Sequence, residues 1–228
     1  MRQIVLDTET TGLSPQSGDR LVEIGCLEII NQMPTGETFH KYINPERDVP
    51  IEAFNVHGLS AERLASEPRF VEIVDEFLEF IGDAPLIIHN ASFDMSFINN
   101  ELQMTGRSFI EAARAVDTLL IARKRFPGAQ NSLDALCRRF GIDNSNRIKH
   151  GALLDAELLA DVYLELMGGR QPGLVLDANL DRRKSDVAPV ERRAPRVIPL
   201  SPRLTDGERE AHGAFVGLLA DGGLWSKP

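Results

Sequence analysis

An α/β fold, with a mixed five-stranded sheet flanked by helices and a tail carrying one short helix, is what this 228-residue sequence predicts. Three observations predict it. β-Branched runs crowd the chain before Pro45, helical periodicities and short apolar strands alternate between Phe70 and Gly169, and the hydrophobic fraction of 43% is enough for a real core.

The elements follow in order. "RQIVLDTET" and "RLVEIGCLEII" read as two strands joined through the turn-rich "TGLSPQSGD", a hairpin. "ETFHKYINP" reads as a third strand, stopped at Pro45. In "PRFVEIVDEFLEFIGDA" the residues Phe70, Ile73, Val74, Phe77, Leu78 and Ile81 recur at spacings of three and four, the stripe of an amphipathic helix. "PLIIHN" is a short apolar strand. "SFDMSFINNELQMTG" is a helix with Ser92 as its N-cap and Gly106 past its end. "AVDT" is the fifth strand, "LLIARKRF" and "SLDALCRRFG" are helices, and "ALLDAELLADVYLELMGG" is a long helix closed by Gly168 and Gly169.

After Gly169 the texture changes. Residues 171–203 hold five prolines and the basic runs "DRRKSD" and "ERRAPR" with almost no periodicity, which predicts a flexible linker. Order returns in "TDGEREAHGAFVGLLADGG", where Thr205 and Glu208 stand at capping-box spacing. Ala211, Ala214, Phe215, Leu218 and Leu219 make one apolar stripe, followed by Leu224 and Trp225. A helix of this length does not fold alone. It predicts a segment that docks on another protein, the alternative being that it folds back on its own domain. The domain boundaries expected are therefore 1–170, 171–203 and 204–228.

Composition narrows the class. The two cysteines, Cys26 and Cys137, lie far apart in apolar segments, a pattern of reduced thiols rather than a disulfide framework. No basic segment followed by an apolar core opens the chain, and no run approaches a membrane span, so a cytoplasmic protein is expected. The net charge of −9 is uneven, since residues 1–170 carry 16 Lys and Arg against 26 Asp and Glu. Bulk charge therefore argues against nucleic acid as a substrate unless metal ions and local contacts overcome that field.

Five residues carry chemistry. Asp7 and Glu9 lie two positions apart on a strand and so share a face, where two like charges repel unless a cation sits against them. Taken alone, the pair also fits a strand with a polar end. Asp94 falls in the first turn of a helix directly after a strand, where open α/β sheets place their sites. Gly151 leaves His150 on a loop at a helix entrance while Asp155 points inward one turn later. Carboxylates with one imidazole and no thiolate suit Mg²⁺ or Mn²⁺. Four carboxylates can hold two such ions about 4 Å apart, the arrangement that clamps a phosphodiester, and a nearby imidazole is a natural general base.

On "LDTETTG", "IIHNASFD" and "HGALLD", taken in order, the chain resembles the DEDDh 3′–5′ exonucleases. "AFNVHGLS", "VDTLLIARKRFPG" and "NSLDALCRRFGIDNS" extend the likeness to the family's polymerase-proofreading members across nearly all of residues 1–170. The resemblance implies a ribonuclease-H-like fold, two Mg²⁺ or Mn²⁺ ions, and release of 3′-terminal nucleotides as 5′-monophosphates. It implies Asp7, Glu9, Asp94 and Asp155 as the metal-site carboxylates and His150 as the general base. It also makes "IEAFNVHGLS" a substrate-contacting loop in which Glu52 and His57 meet the terminal nucleotide, the alternative for His57 being an ordinary polar turn. Asp7, Glu9, Thr10 and Asp155 belong to the same substrate site, with Thr8 and Thr11 at its border. Asp117 reads either as orienting a ligand or as structural, and His89 and Asn90 as buttresses of the turn before Asp94.

The implied partners are frayed or single-stranded 3′ DNA ends, the alpha subunit of DNA polymerase III bound through 204–228, and a sliding clamp through "QPGLVL", Gln171 to Leu176. Two other readings remain: a free-standing DEDDh nuclease acting on RNA or repair intermediates, and a non-catalytic adaptor that stabilises a polymerase.

Overall fold

The computed structural model describes residues 1–145, 147, 149–169 and 204–218. Five strands, β1 (Arg2–Thr10), β2 (Leu21–Ile30), β3 (Met33–Tyr42), β4 (Leu86–Ile88) and β5 (Ala115–Asp117), form a sheet in the order β3-β2-β1-β4-β5. The pairs β1–β2 and β2–β3 are antiparallel, whereas β1–β4 and β4–β5 are parallel. This is the mixed sheet expected, because early hairpins can only pair antiparallel and the later strands return through helices.

Period-two alternation in β1 sends its residues to two separate cores. Ile4 and Leu6 pack with Phe70 and Phe77 of α3 (Phe70–Ile81) and Phe97 of α4 (Ala91–Met104). Val5 faces the other way, onto Ala156, Leu159 and Tyr163 of α7 (Ala152–Leu166). Fully burying a side chain of this size stabilises by about 1.5–3 kcal/mol relative to exposure. The helices α5 (Thr118–Arg125) and α6 (Leu133–Phe140) pack on α7 through Ala122, Leu136 and Val162. Asp7 and Glu9 continue the Val5 face and so point to the α7 side.

Three local expectations are corrected. β3 begins at Met33 rather than Glu37, because Asn31 and Gln32 both take positive φ (53° and 67°) and close a two-residue hairpin that pairs Ile30 with Met33. "IEAFNVHGLS" is not a loop: Ile51–His57 is a helix, α1, ended by Gly58 in the left-handed region. A further short helix, α2 (Ala61–Leu64), is capped by Ser60. Finally, α4 starts at Ala91, with Asn90 and not Ser92 at its N-cap position. The Asp117 carboxylate, at the end of β5, accepts from the backbone N–H groups of Asn90 and Ala91 (3.3 and 3.2 Å), so a non-local cap replaces the local one.

The chain divides into two units, Met1–Leu174 and Val175–Pro228. In the second, α8 (Asp206–Gly217) carries the expected capping box between Thr205 and Glu208, and its Phe215 and the adjacent Leu218 are 60% and 84% exposed. Residues 171–203, with the Gln171–Leu176 peptide, and Leu219, Leu224 and Trp225 lie outside the described residues. Among the described residues, no helix is long and apolar enough to cross a membrane.

Candidate active site

Three element ends converge on one cleft: the carboxyl end of β1 and the first turns of α4 and α7. The cleft has a volume of about 280 Å³ and is lined by Asp7, Glu9, Asp94, Arg147, His150 and Asp155, among others. A second hollow of about 470 Å³ shares Thr8, Glu9 and Phe93 with it and reaches Thr10, Thr11, Glu52 and His57. The four carboxylates, His150, Glu52, His57, His89, Thr8, Thr10 and Thr11 each line one or other of these two hollows, whereas Asn90 and Asp117 line neither.

Within the cleft the groups are unequal. Ligand atoms of Glu9, His150 and Asp155 lie within 4.8 Å of one another, while Asp7 and Asp94 line the same cleft outside that tight cluster. Thr8, on the opposite face of β1 from Asp7, donates its hydroxyl to Asp94 Oδ1 (2.6 Å) and ties α4 to the strand. Asp155 is held at both oxygens by Arg147, Nε to Oδ1 at 2.5 Å and Nη2 to Oδ2 at 2.6 Å. His150 is exposed, with Nδ1 3.4 Å from Asp155 Oδ2.

The electrostatics follow from burial without matching positive charge. Burial, then the negative charges of Asp94, Glu9 and Asp155, push the Asp7 carboxyl well above the ordinary range. Burial, then the charges of Asp155, Glu23 and Asp94, push Glu9 to about 8. Burial raises Asp94 to about 7 against the Thr8 hydrogen bond. Asp155 goes the other way: burial raises it, but the hydrogen bonds and charge of Arg147 outweigh burial and leave it below the usual value. A donor set of carboxylate oxygens plus one imidazole, crowded until it attracts protons and already holding a guanidinium, fits a hard divalent cation.

Two further histidines line the hollows, His89 the first and His57 the second. His57 Nδ1 accepts from the Leu59 N–H (3.0 Å), so its buried Nε2 carries the proton and has no hydrogen-bond partner among the described residues. His89 Nδ1 lies 2.9 Å from the Thr118 hydroxyl, which is also 3.2 Å from the Ile88 carbonyl, so the ring is tied to the end of β4 through Thr118. The helix bearing Glu52 and His57 is stitched to the His150 loop: His150 N–H donates to the Val56 carbonyl (3.2 Å), and Lys149 Nζ to the carbonyls of Phe54 and Asn55 (both 3.2 Å). Asp117 is structural, for it caps α5 through Leu119 N–H (2.8 Å) as well as the start of α4.

Three residues escaped the sequence reading. Gly25 pairs with Asp7 across β1–β2 and gives the first turn of α7 room against the sheet; an isolated glycine in a strand pattern is a signal for such an approach. Phe93 joins the two hollows and sits one position before Asp94. Arg147 left no local signal, since one arginine in a polar loop is unremarkable.

Comparison with known proteins points one way. Residues 4–163 match the family model RNase_T, described as Exonuclease. The chain is 42% identical to DNA polymerase III subunit epsilon of Escherichia coli across 98% of this chain and 97% of that one. It is 58% identical to the subunit of the same name from Rickettsia conorii across 75% and 76% of the two chains. Among solved structures, it resembles exonuclease X in complex with 5′-overhanging duplex DNA (TM-score 0.57, 22% identity, 72% and 90% of the chains). The nuclease domain of 3′hExo, a DEDDh family member bound to rAMP, is also similar (TM-score 0.63, 16% identity, 73% and 91%). At those identities the structural likenesses speak for the fold.

Proposed function

The chain belongs to the RNase_T exonuclease family, and on that premise we propose that it is the proofreading 3′–5′ exonuclease of a bacterial replicative DNA polymerase, the counterpart of the epsilon subunits it matches. The observation that carries this reading is the near end-to-end match to the Escherichia coli subunit, joined to a cleft in which carboxylates from three elements meet one histidine. Exonucleases of this family work with divalent metal ions. Here Asp7, Glu9, Asp94 and Asp155 would hold two of them, Mg²⁺ or Mn²⁺. Bound, they would supply the positive charge that acidifies the attacking water and neutralises the departing 3′ oxygen.

The protein's own groups do the rest. His150, exposed at the mouth of the cleft, takes the proton of that water on an imidazole nitrogen. The terminal nucleotide lies in the adjoining hollow, where the Glu52 carboxylate accepts from a sugar hydroxyl and His57 offers its unpartnered Nε2–H. The products are nucleoside 5′-monophosphates. A mispaired terminus frays at lower cost than a paired one and is removed faster.

Residues 204–228 bind the polymerase's alpha subunit through the exposed stripe around Phe215 and Leu218, and Gln171–Leu176 binds the sliding clamp. Tethering raises the local concentration of the exonuclease at the primer end, which offsets its acidic surface. The cell compartment is then the bacterial cytoplasm. The test is a 5′-labelled oligonucleotide with Mg²⁺ or Mn²⁺, given to the wild-type chain and to Asp7→Ala. Stepwise shortening from the 3′ end by wild type alone supports the reading; no shortening by either protein with either ion refutes it.

A further inference from the structure

Arg147 is a cation set where the metal reading places cations. Its side chain is only 7% exposed. Nε and Nη2 take the two oxygens of Asp155 (2.5 and 2.6 Å), Nη2 also meets His150 Nδ1 (2.8 Å), and Nη1 meets Asp134 (2.8 Å). A guanidinium donates, never accepts, and keeps its charge in a protein. It therefore takes one lone pair on each oxygen of Asp155 and the Nδ1 lone pair of His150. Those two residues, with Glu9, make up the tight ligand cluster of the cleft. A divalent ion at Asp155 must share that carboxylate with the guanidinium fork, and two cations at one carboxylate repel.

From this geometry we infer that Arg147 is the built-in counter-cation of the site, holding Asp155 and His150 in the metal-free protein until a divalent ion displaces it. The inference rests on the reading of Asp155 as a metal ligand. Displacement has a place to end: Asp134, 41% exposed at the edge of the same cleft, already contacts Nη1 and can keep the guanidinium after Asp155 is given up. The same movement releases His150 Nδ1. The arginine is thus a positioning residue that couples the availability of the base to metal loading, and it prevents Asp155 from standing unpaired beside three other carboxylates when no metal is bound.

The experiment uses the full-length chain as wild type, Arg147→Gln, Arg147→Lys and Asp7→Ala. Mn²⁺ binding is read by the electron paramagnetic resonance of free Mn²⁺, and thermal unfolding is followed in EDTA. The expected result is that Arg147→Gln unfolds at a lower temperature in EDTA but binds Mn²⁺ roughly tenfold or more tightly, because a charge-assisted competitor has gone. Arg147→Lys, which keeps the charge but loses the fork, falls between it and wild type. Mn²⁺ affinity unchanged or weakened in Arg147→Gln overturns the inference and leaves Arg147 a structural tie. If the Gln variant does not fold, Arg147→Lys decides, and binding no tighter than wild type overturns it equally. Wild type that binds Mn²⁺ no better than Asp7→Ala overturns the metal-site reading itself, and the inference with it.

Discussion

Gly25 and Ala152 lie so close that a Cβ on Gly25 would come within 2.3 Å of the Ala152 carbonyl carbon and of Leu153 N. Gly25 stands opposite Asp7 in the sheet, and Ala152 opens the helix that carries Asp155. This missing side chain is what lets a carboxylate from α7 reach the carboxylates of β1. Gly25→Ala must push α7 outward, because both obstructing atoms are backbone. We expect a loss of about 1–3 kcal/mol in denaturant unfolding, as for other overpacked cores, and a fall in kcat larger than that stability loss explains. Wild-type stability and activity in the variant would sink this account.

The metal role proposed for Asp7 comes at the expense of the metal-free fold. Its carboxyl is held among other negative charges with little water. Asp7→Asn should therefore abolish nucleotide release yet raise stability in EDTA by about 1 kcal/mol, some 2–4 °C in Tm for a domain of this size. Mg²⁺ should then stabilise wild type and leave the variant nearly unmoved. Calorimetry with and without the ion checks both statements.

Removing the imidazole separates base catalysis from binding. His150→Gln is expected to lower kcat by roughly 10²–10⁴-fold, with KM for a single-stranded substrate little changed because, in the proposed function, Glu52 and His57 hold the terminal nucleotide. A variant with full kcat would mean that some other group takes the proton.

His89 makes stability fall in acid. Burial lowers its folded pKa below the ordinary 6.5. The native state therefore binds fewer protons than the unfolded chain in the window just below that value, and stability is lost as pH drops through it. His89→Asn keeps a polar partner for Thr118 without a titrating ring. It should lose less unfolding free energy than wild type between about pH 7 and about pH 5.5. Equal losses in urea titrations would show that His89 takes up its proton equally in the folded and unfolded states.

The exposed residues at the end of α8 should matter to partners and not to chemistry. The full-length double variant Phe215→Glu, Leu218→Glu is expected to retain exonuclease activity on an oligonucleotide and to lose its affinity for the polymerase alpha subunit. Binding measured by surface plasmon resonance, alongside the activity assay, tests the pair of statements together.

Periodicity alone was enough to place much of the site. Alternation in β1 puts Asp7 and Glu9 on one face, the strand-to-helix junction puts Asp94 in a first turn, and Gly151 separates His150 from the helix of Asp155. Each of those is a relation between residues a few positions apart, governed by backbone geometry. The seven residues of α1 were too short to show a helical period, and the Asn31–Gln32 turn uses a residue pair without a strong hairpin signature.

What the amino-acid order determined by itself, then, is the strand and helix framework and the presence of acid-bearing ends, because hydrophobic spacing and glycine breaks act locally. Tertiary structure decided which of those ends meet. Asp117, from the neighbouring strand β5, caps α4 in place of Ser92, Gly25 admits α7, and Arg147 closes on Asp155 and His150. These are contacts between segments brought together only when the core packs, and close packing and ion pairing depend on distances through space that spacing along the chain does not encode.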